Sequence, residues 1–234
     1  MTKEIILRAQ GIKKQFSSPV PIQLLQEICL EVEKGSAVAI MGKSGEGKST
    51  LLHILGTLEK ATSGEVEICG KKTHLSCNDT LRNRHIGFIF QSYNLLEEYT
   101  VLDNVLMPAK IARKNVSKTS PLYLRALDLL EKVGLSPRAH FLAKLLSGGE
   151  KQRTAIARSL CNDPELILAD EPSGNLDHQH SQAIHQLLIQ LARQHQKTLI
   201  VVTHDKELAG LCDQVWILKD GKLYPDHSIL KGLH

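Results

Sequence analysis

Ala37-Val38-Ala39-Ile40-Met41-Gly42-Lys43-Ser44-Gly45-Glu46-Gly47-Lys48-Ser49-Thr50 decides the architecture of this 234-residue chain. Five consecutive apolar residues read as a short strand buried on both faces, the place of a central strand in a parallel sheet. The glycines after it let the backbone curl so that successive N–H groups point at one centre. From Ser49 to Leu55 the pattern turns helical. Strand, glycine loop and helix in that order fit G-x-x-x-x-G-K-[ST], in which loop amides and a helix N-terminus together cradle phosphate. By composition alone the pattern arises in about one chain in a hundred of this size. The flanking strand and helix are the context it requires.

The motif assigns chemistry residue by residue. Lys48 reaches the β- and γ-phosphates of a nucleotide, and the Ser49 hydroxyl ligates Mg²⁺. Gly42, Ser44, Gly45, Gly47 and Thr50 complete the phosphate-binding set. Glu46 is the odd member, a carboxylate in a loop that must hold a polyanion. It is expected to face outward, with Lys43 compensating in part.

Outward from the loop, strand-like and helix-like segments alternate, the pattern of an α/β domain with a mixed, largely parallel sheet. Ile28, Leu30 and Val32 alternate with Cys29, Glu31 and Glu33, the period of a half-buried strand. Leu166 to Ala169 and Leu199 to Val202 are fully apolar short strands. Ile184, Leu187, Leu188 and Leu191 share one helical face between them. The first of these strands ends in Asp170-Glu171. In an open parallel sheet the strand C-termini face the ligand crevice. Asp170 therefore suits the Mg²⁺ shell, and Glu171 is placed to polarise a water for attack on the γ-phosphorus. The stretch from about Ser92 to Cys161 has no convincing strand. It reads as a helical lobe, about residues 92–161, set into a core of residues 1–91 and 162–234, all in a single domain.

Composition narrows the function. A net charge of +4, with Lys and Arg scattered, does not argue for nucleic acid. Five cysteines without a CxxC pair read as reduced, buried small residues. No apolar run approaches the ~20 residues of a membrane span, and the start lacks a signal-peptide pattern. Any membrane role is therefore expected to come through a partner.

Leu146-Ser147-Gly148-Gly149-Glu150-Lys151-Gln152-Arg153 opens a second helix with an anion-binding N-terminus. One chain has little use for two such sites on one γ-phosphate, whereas two chains head to tail do. With this turn the chain resembles the nucleotide-binding subunits of ABC (ATP-binding cassette) transporters, from about Leu7 to Leu223. Six motifs stand in family order: residues 42–50, Gln91 in Phe88-Ile89-Phe90-Gln91, the turn at Ser147, Asp170-Glu171, Ser173-Gly174-Asn175-Leu176-Asp177, and Val202-Thr203-His204-Asp205.

The resemblance implies a P-loop cassette fold that binds ATP and Mg²⁺ and hydrolyses ATP as a homodimer. It implies that Gln91 senses Mg²⁺ and γ-phosphate, and that Ser147 and Gly149 touch the γ-phosphate held by the other subunit. Asp177 would lie at the dimer seam, His204 would hold the γ-phosphate and water in line, and Phe16 would stack on adenine. His178, His180 and His185 are not family positions and read as a polar helix face. The wording around Gln91 and Asn175 looks like the lipoprotein-release and macrolide-export branch. That implies integral membrane permease subunits docking by a coupling helix near Gln91, at the cytoplasmic face of the inner membrane. A macrolide- or peptide-export ATPase and a cell-division-type cassette remain the alternatives. A P-loop kinase leaves the Ser147 turn and His204 unexplained.

Overall fold

The computed structural model describes residues 4–17, 21–73, 78–226 and 228. Cys77 and the first three residues, which enter the cysteine and leader readings, lie outside them. Two sheets form the core. Five parallel strands make up most of the larger one: β3 (Ala37–Met41), β6 (Ile86–Ile89), β7 (Leu166–Asp170), β8 (Thr198–Val202) and β9 (Gln214–Lys219), with β10 (Lys222–Asp226) antiparallel at one edge. The order is β10-β9-β3-β8-β7-β6. The smaller sheet is antiparallel, β2 (Ile22–Glu33), β1 (Ile5–Phe16), β4 (Ser63–Ile68) and the two-residue β5 (Lys71–Lys72).

Strand periodicity explains why the parallel strands read as unbroken apolar runs. Side chains alternate between sheet faces, and both faces here are covered. Ala37, Ala39 and Met41 of β3 join one apolar cluster with Ile167, Ala169, Leu199 and Val201. Val38 and Ile40 join the other with Leu166, Leu168, Ile200 and Val202. That second layer holds α1 (Lys48–Leu55) and the buried faces of β1, β2 and β4. Gly56 ends α1 at a point where a Cβ would lie 2.4 Å from the Phe88 ring, so the helix reaches the sheet only because no side chain intervenes.

The first layer is helical. Between β6 and β7 the chain forms α3 (Val101–Ile111), α4 (Pro121–Lys132), α5 (Gly148–Leu160) and two short 3₁₀ turns, with one isolated bridge, Thr100 to Leu142. These three helices pack on one another, and α5 also meets β6 and α6 (His178–Gln194). The helix starts are written in the sequence. Thr100, Ser120 and Ser147 each accept the N–H of the residue three positions on, and Asp177 does so for α6. Two further helices are short, α2 (Asp79–His85) and α7 (Lys206–Gly210). No described helix is long and apolar enough to cross a membrane.

Two expectations are corrected by burial. Cys29 is exposed rather than buried, because it faces outward between the inward Ile28 and Leu30 of β2; Cys161 and Cys212 are buried. His185 does not lie on a polar helix face: it is 1% exposed, on the α6 stripe that includes Ile184 and Leu188.

Candidate functional site

Gly45 and Gly47 have φ of +83° and +94°, the left-handed backbone that bends the loop after β3 around a common centre. Gly47 is also the N-cap of α1, so the helix dipole opens into the loop. Lys48 leaves the first turn of α1 and folds back across the loop. Its ammonium donates to the carbonyls of Gly42 and Lys43, both at 3.0 Å, and lies 4.0 Å from Glu171 Oε1.

Glu46 departs from expectation. Its carboxylate does not face away from the loop; Oε2 accepts the Lys43 N–H at 3.1 Å. The same oxygen lies 2.7 Å from where a Cβ on Gly42 would be, so Gly42 gives it room. The physical reason is local. An N–H at position 43 is an unpaired donor within the loop, and a carboxylate three residues on is a strong acceptor for it.

The carriers of the acids are β7 and β8, neighbours in the sheet that end side by side. Asp170 closes β7, only 8% exposed, and accepts the Ser49 hydroxyl at 2.9 Å. Burial pushes the Asp170 carboxyl up, although the Ser49 hydrogen bond pulls the other way. Glu171 follows with φ of +41°, strained for a non-glycine residue. That backbone turn carries its side chain toward β8. Its Oε2 accepts from His204 Nδ1 at 2.9 Å, from Thr203 Oγ1 at 3.3 Å and from the His204 N–H at 3.4 Å. A carboxylate only accepts, so Nδ1 carries the proton and Nε2 of His204 is left to meet a ligand. The imidazole side chain is 72% exposed, open to the cleft.

Gln91 follows β6 one residue beyond Phe90. Its backbone carbonyl accepts the Asn175 amide at 2.8 Å, and its side chain passes so close to Gly174 that a Cβ there would lie 2.9 Å from Nε2. Asn175 and Gly174 thus tie the end of β6 to the turn after Glu171, a role that sequence reading did not give them. Behind Gln91, the carbonyls of Tyr93 and Asn94 accept from the Arg158 guanidinium of α5, and the buried Asn104 amide holds Leu96 at both its N–H and its carbonyl. The segment that carries Gln91 is therefore latched to the helical layer.

These groups share one cleft of about 640 Å³, walled by the loop residues 42–45 and 47–50 with Gln91, Glu171 and His204, and with Leu24 on one side. Asp170 reaches the cleft only through Ser49, which lines it, and Phe16, Ser147, Gly149 and Asp177 are not among its lining residues either. Phe16 is the last residue of β1, 41% exposed, with the Lys14 ammonium 4.9 Å from its ring centroid. Ser147 is exposed and caps α5 in a reciprocal box with Glu150. Gly149 is buried, with His180 Cδ2 3.7 Å from where its Cβ would be, and Asp177 accepts from His180 at both its N–H and Nδ1. Ser147, Gly149 and Asp177 thus gather around the starts of α5 and α6, apart from the cleft.

A family model described as ABC transporter matches residues 25–174. The chain belongs to the ABC transporter family. It is an ATP-hydrolysing cassette subunit of that family. Among its relatives, the lipoprotein-releasing system ATP-binding protein LolD of Protochlamydia amoebophila is 54% identical over 94% of this chain and 96% of its own. The protein of the same name from Cytophaga hutchinsonii is 44% identical over 92% and 97%. Among solved structures, the dimeric post-hydrolysis state of the ATP-binding cassette MJ0796, bound to ADP and Pi, superposes with a TM-score of 0.84 at 38% identity, covering 94% of this chain and 98% of that one.

Proposed function

We propose that this ABC ATPase works as a homodimer at the cytoplasmic face of the inner membrane and powers release of lipoproteins through membrane-spanning partners. The observation that carries the dimer is the division of labour in a single chain. The cleft has a phosphate loop, an acid and a histidine, while the exposed Ser147 cap and Asp177 sit elsewhere, facing outward. Relatives named for lipoprotein release span nearly the whole chain, which supports the cargo.

In this reading Lys48 exchanges the Gly42 and Lys43 carbonyls for phosphate oxygens of ATP. Ser49 and Asp170 fit Mg²⁺, because they offer two hard oxygens 2.9 Å apart, one on a carboxylate whose burial favours a cation beside it. Bound there with Gln91 alongside, Mg²⁺ would supply charge neutralisation at the phosphates. Glu171 takes the proton of the attacking water. His204 holds the Glu171 carboxylate through Nδ1 and presents Nε2 to the γ-phosphate. Phe16 would stack on adenine after Lys14 yields its face. Ser147 and Gly149 of each copy would close over the γ-phosphate in the other's cleft, with Asp177 at the seam. The membrane partner would dock beside Gln91; the segment that follows it exposes Leu96 and Tyr99, and a second segment that exposes Phe141 and Leu145 is tied to it by the Phe141 carbonyl and the Ala143 N–H, which bond backbone at residues 101 and 99.

The test is E171Q. It should bind ATP, sediment as a dimer that the wild type forms only transiently, and turn over at least about a hundredfold more slowly. A monomer at saturating ATP would overturn the dimer reading. For cargo, the complex purified with its membrane partners and reconstituted in proteoliposomes should release an acylated lipoprotein on ATP addition; ATP-driven efflux of a macrolide or peptide instead would reassign it to an export system.

A further inference from the structure

His185 is the one α6 histidine turned fully into the protein, and nothing in the cleft uses it. Its Nε2 lies 2.7 Å from the Ser173 hydroxyl and 3.8 Å from Asp205 Oδ2, while Nδ1 is buried without a hydrogen-bond partner. A neutral imidazole has one donor and one acceptor nitrogen. An unpaired buried N–H costs more than an unpaired lone pair, so the proton belongs on Nε2, between Ser173 and Asp205.

Those two partners lie on different loops. Ser173 is buried two residues after Glu171, in the turn closed by the Gly174 N–H on the Glu171 carbonyl and the Leu176 N–H on the Ser173 carbonyl. Asp205 follows His204 directly, and its Oδ1 caps α7 by accepting the N–H groups of Glu207 and Leu208. On the cleft side the two loops meet through Glu171 and His204. On the opposite side His185 is hydrogen-bonded to Ser173 and packs its ring 3.8 Å from the Asp205 carboxylate. The ring of contacts is completed by Thr203, whose hydroxyl donates to Glu171 and accepts the Asp205 N–H.

We propose that His185 is a positioning residue for ATP hydrolysis: from beneath, its Nε2–H holds the Ser173 hydroxyl, and with it the Glu171 turn, beside Asp205 of the His204 turn, and so sets the reach between Glu171 and His204. The inference rests on the assignment of Glu171 and His204 to the hydrolytic step. His185 touches no substrate. Its effect therefore falls on kcat rather than on ATP affinity, and it depends on a donor at one atom rather than on the size of the side chain.

Three substitutions separate these properties. H185F keeps a planar ring of similar volume and deletes the donor. H185Q restores a donor near the position of Nε2, and H185N places one near Nδ1 instead. Misplacement of a reacting group by a fraction of an ångström to an ångström is worth roughly ten- to a hundredfold. We expect H185F to lower kcat about tenfold with KM for ATP within about twofold of wild type, H185Q to recover at least about half of kcat, and H185N to behave like H185F. S173A removes the same bond from the other loop, stays informative if H185F fails to fold, and should not add to H185F in the double variant. Equal kcat in H185F, H185Q and wild type would overturn the proposal. So would a fall in KM-determined affinity that matches the fall in rate, or strict additivity of S173A with H185F. E171Q in the same assay isolates the underlying reading. If E171Q itself turns over normally, the assignment of Glu171 fails; if E171Q is silent while H185F and S173A run at the wild-type rate, only the inference about His185 fails.

Discussion

A carboxylate and a backbone N–H three residues apart, Glu46 and Lys43, close the phosphate loop on itself. Each looks unfavourable alone, since Lys43 brings an extra donor and Glu46 a charge of the wrong sign for a polyanion site. Together each supplies the other's partner. Nucleotide must nevertheless approach that charge. Repulsion over several ångströms at an effective dielectric near 20, reduced by salt, amounts to roughly 1–1.5 kcal/mol. E46S should therefore bind ATP about five- to tenfold more tightly by calorimetry, with the gain shrinking as salt is raised. An unchanged or weaker affinity would mean that the clasp preorganises the loop more than its charge opposes the ligand. His185 carries a lesson of the same size. By residue type it reads as polar, yet it lies one residue from Ile184 and three from Leu188, inside the buried stripe of α6. Helical position, counted residue by residue, outranks chemical type as a guide to burial.

At the scale of elements, the N-terminus of α5 is capped by Ser147, and in the proposed dimer it is also a phosphate contact; one substitution pair separates the two. Ser147 accepts the Glu150 N–H, and Glu150 returns the bond to the Ser147 N–H. S147A should lose the cap, about 1 kcal/mol, and ATPase activity with it. Asp caps a helix as well as Ser does, so S147D should melt within a degree or two of wild type while its turnover collapses, because in the proposed dimer a carboxylate would then face the γ-phosphate of the other copy. If S147D kept its ATPase activity, the cap would be structural only. Gly56 makes a second element-level case. Its φ is −88°, so a side chain there is not conformationally strained, but a Cβ would overlap the Phe88 ring. G56A should destabilise by about 1–3 kcal/mol in urea unfolding, and F88L should recover part of that loss. Legibility followed the same physics. β3, β7 and β8 stood out because both faces of their sheet are covered. In the antiparallel sheet only the alternation of Ile28, Leu30 and Val32 in β2 stood out, because β1 has register shifts around Gly11 that space its buried Leu7, Ala9 and Ile12 unevenly, and β4 buries only Val66 and Ile68. The acids, the loop lysine and His204 could be read from their motifs, since strand ends bring them together; the Asn175 and Arg158 braces could not, since their partners are backbone carbonyls far away in sequence.

For the whole molecule, the proposed dimer, with each site built from two copies, would make activity a matter of concentration. Specific ATPase activity of the isolated subunit should rise with protein concentration, from second-order behaviour when dilute to a plateau when dimers form on ATP. A flat profile down to nanomolar protein would mean that one chain suffices.

The strand order also sets a timetable for the chain's own birth. β3 is sandwiched between β8 and β9, and both arrive more than 150 residues after it. A nascent chain that has just finished the phosphate loop thus presents a greasy ribbon with neither flanking strand yet synthesised, at a translation speed of about 5–20 residues per second. For many seconds that ribbon must be shielded by α1 and the early antiparallel sheet, or by a chaperone at the ribosome exit. Ribosome-stalled truncations ending before residue 198 should therefore leave residues 37–41 open to proteases and chaperones, and those reaching past β9 should not.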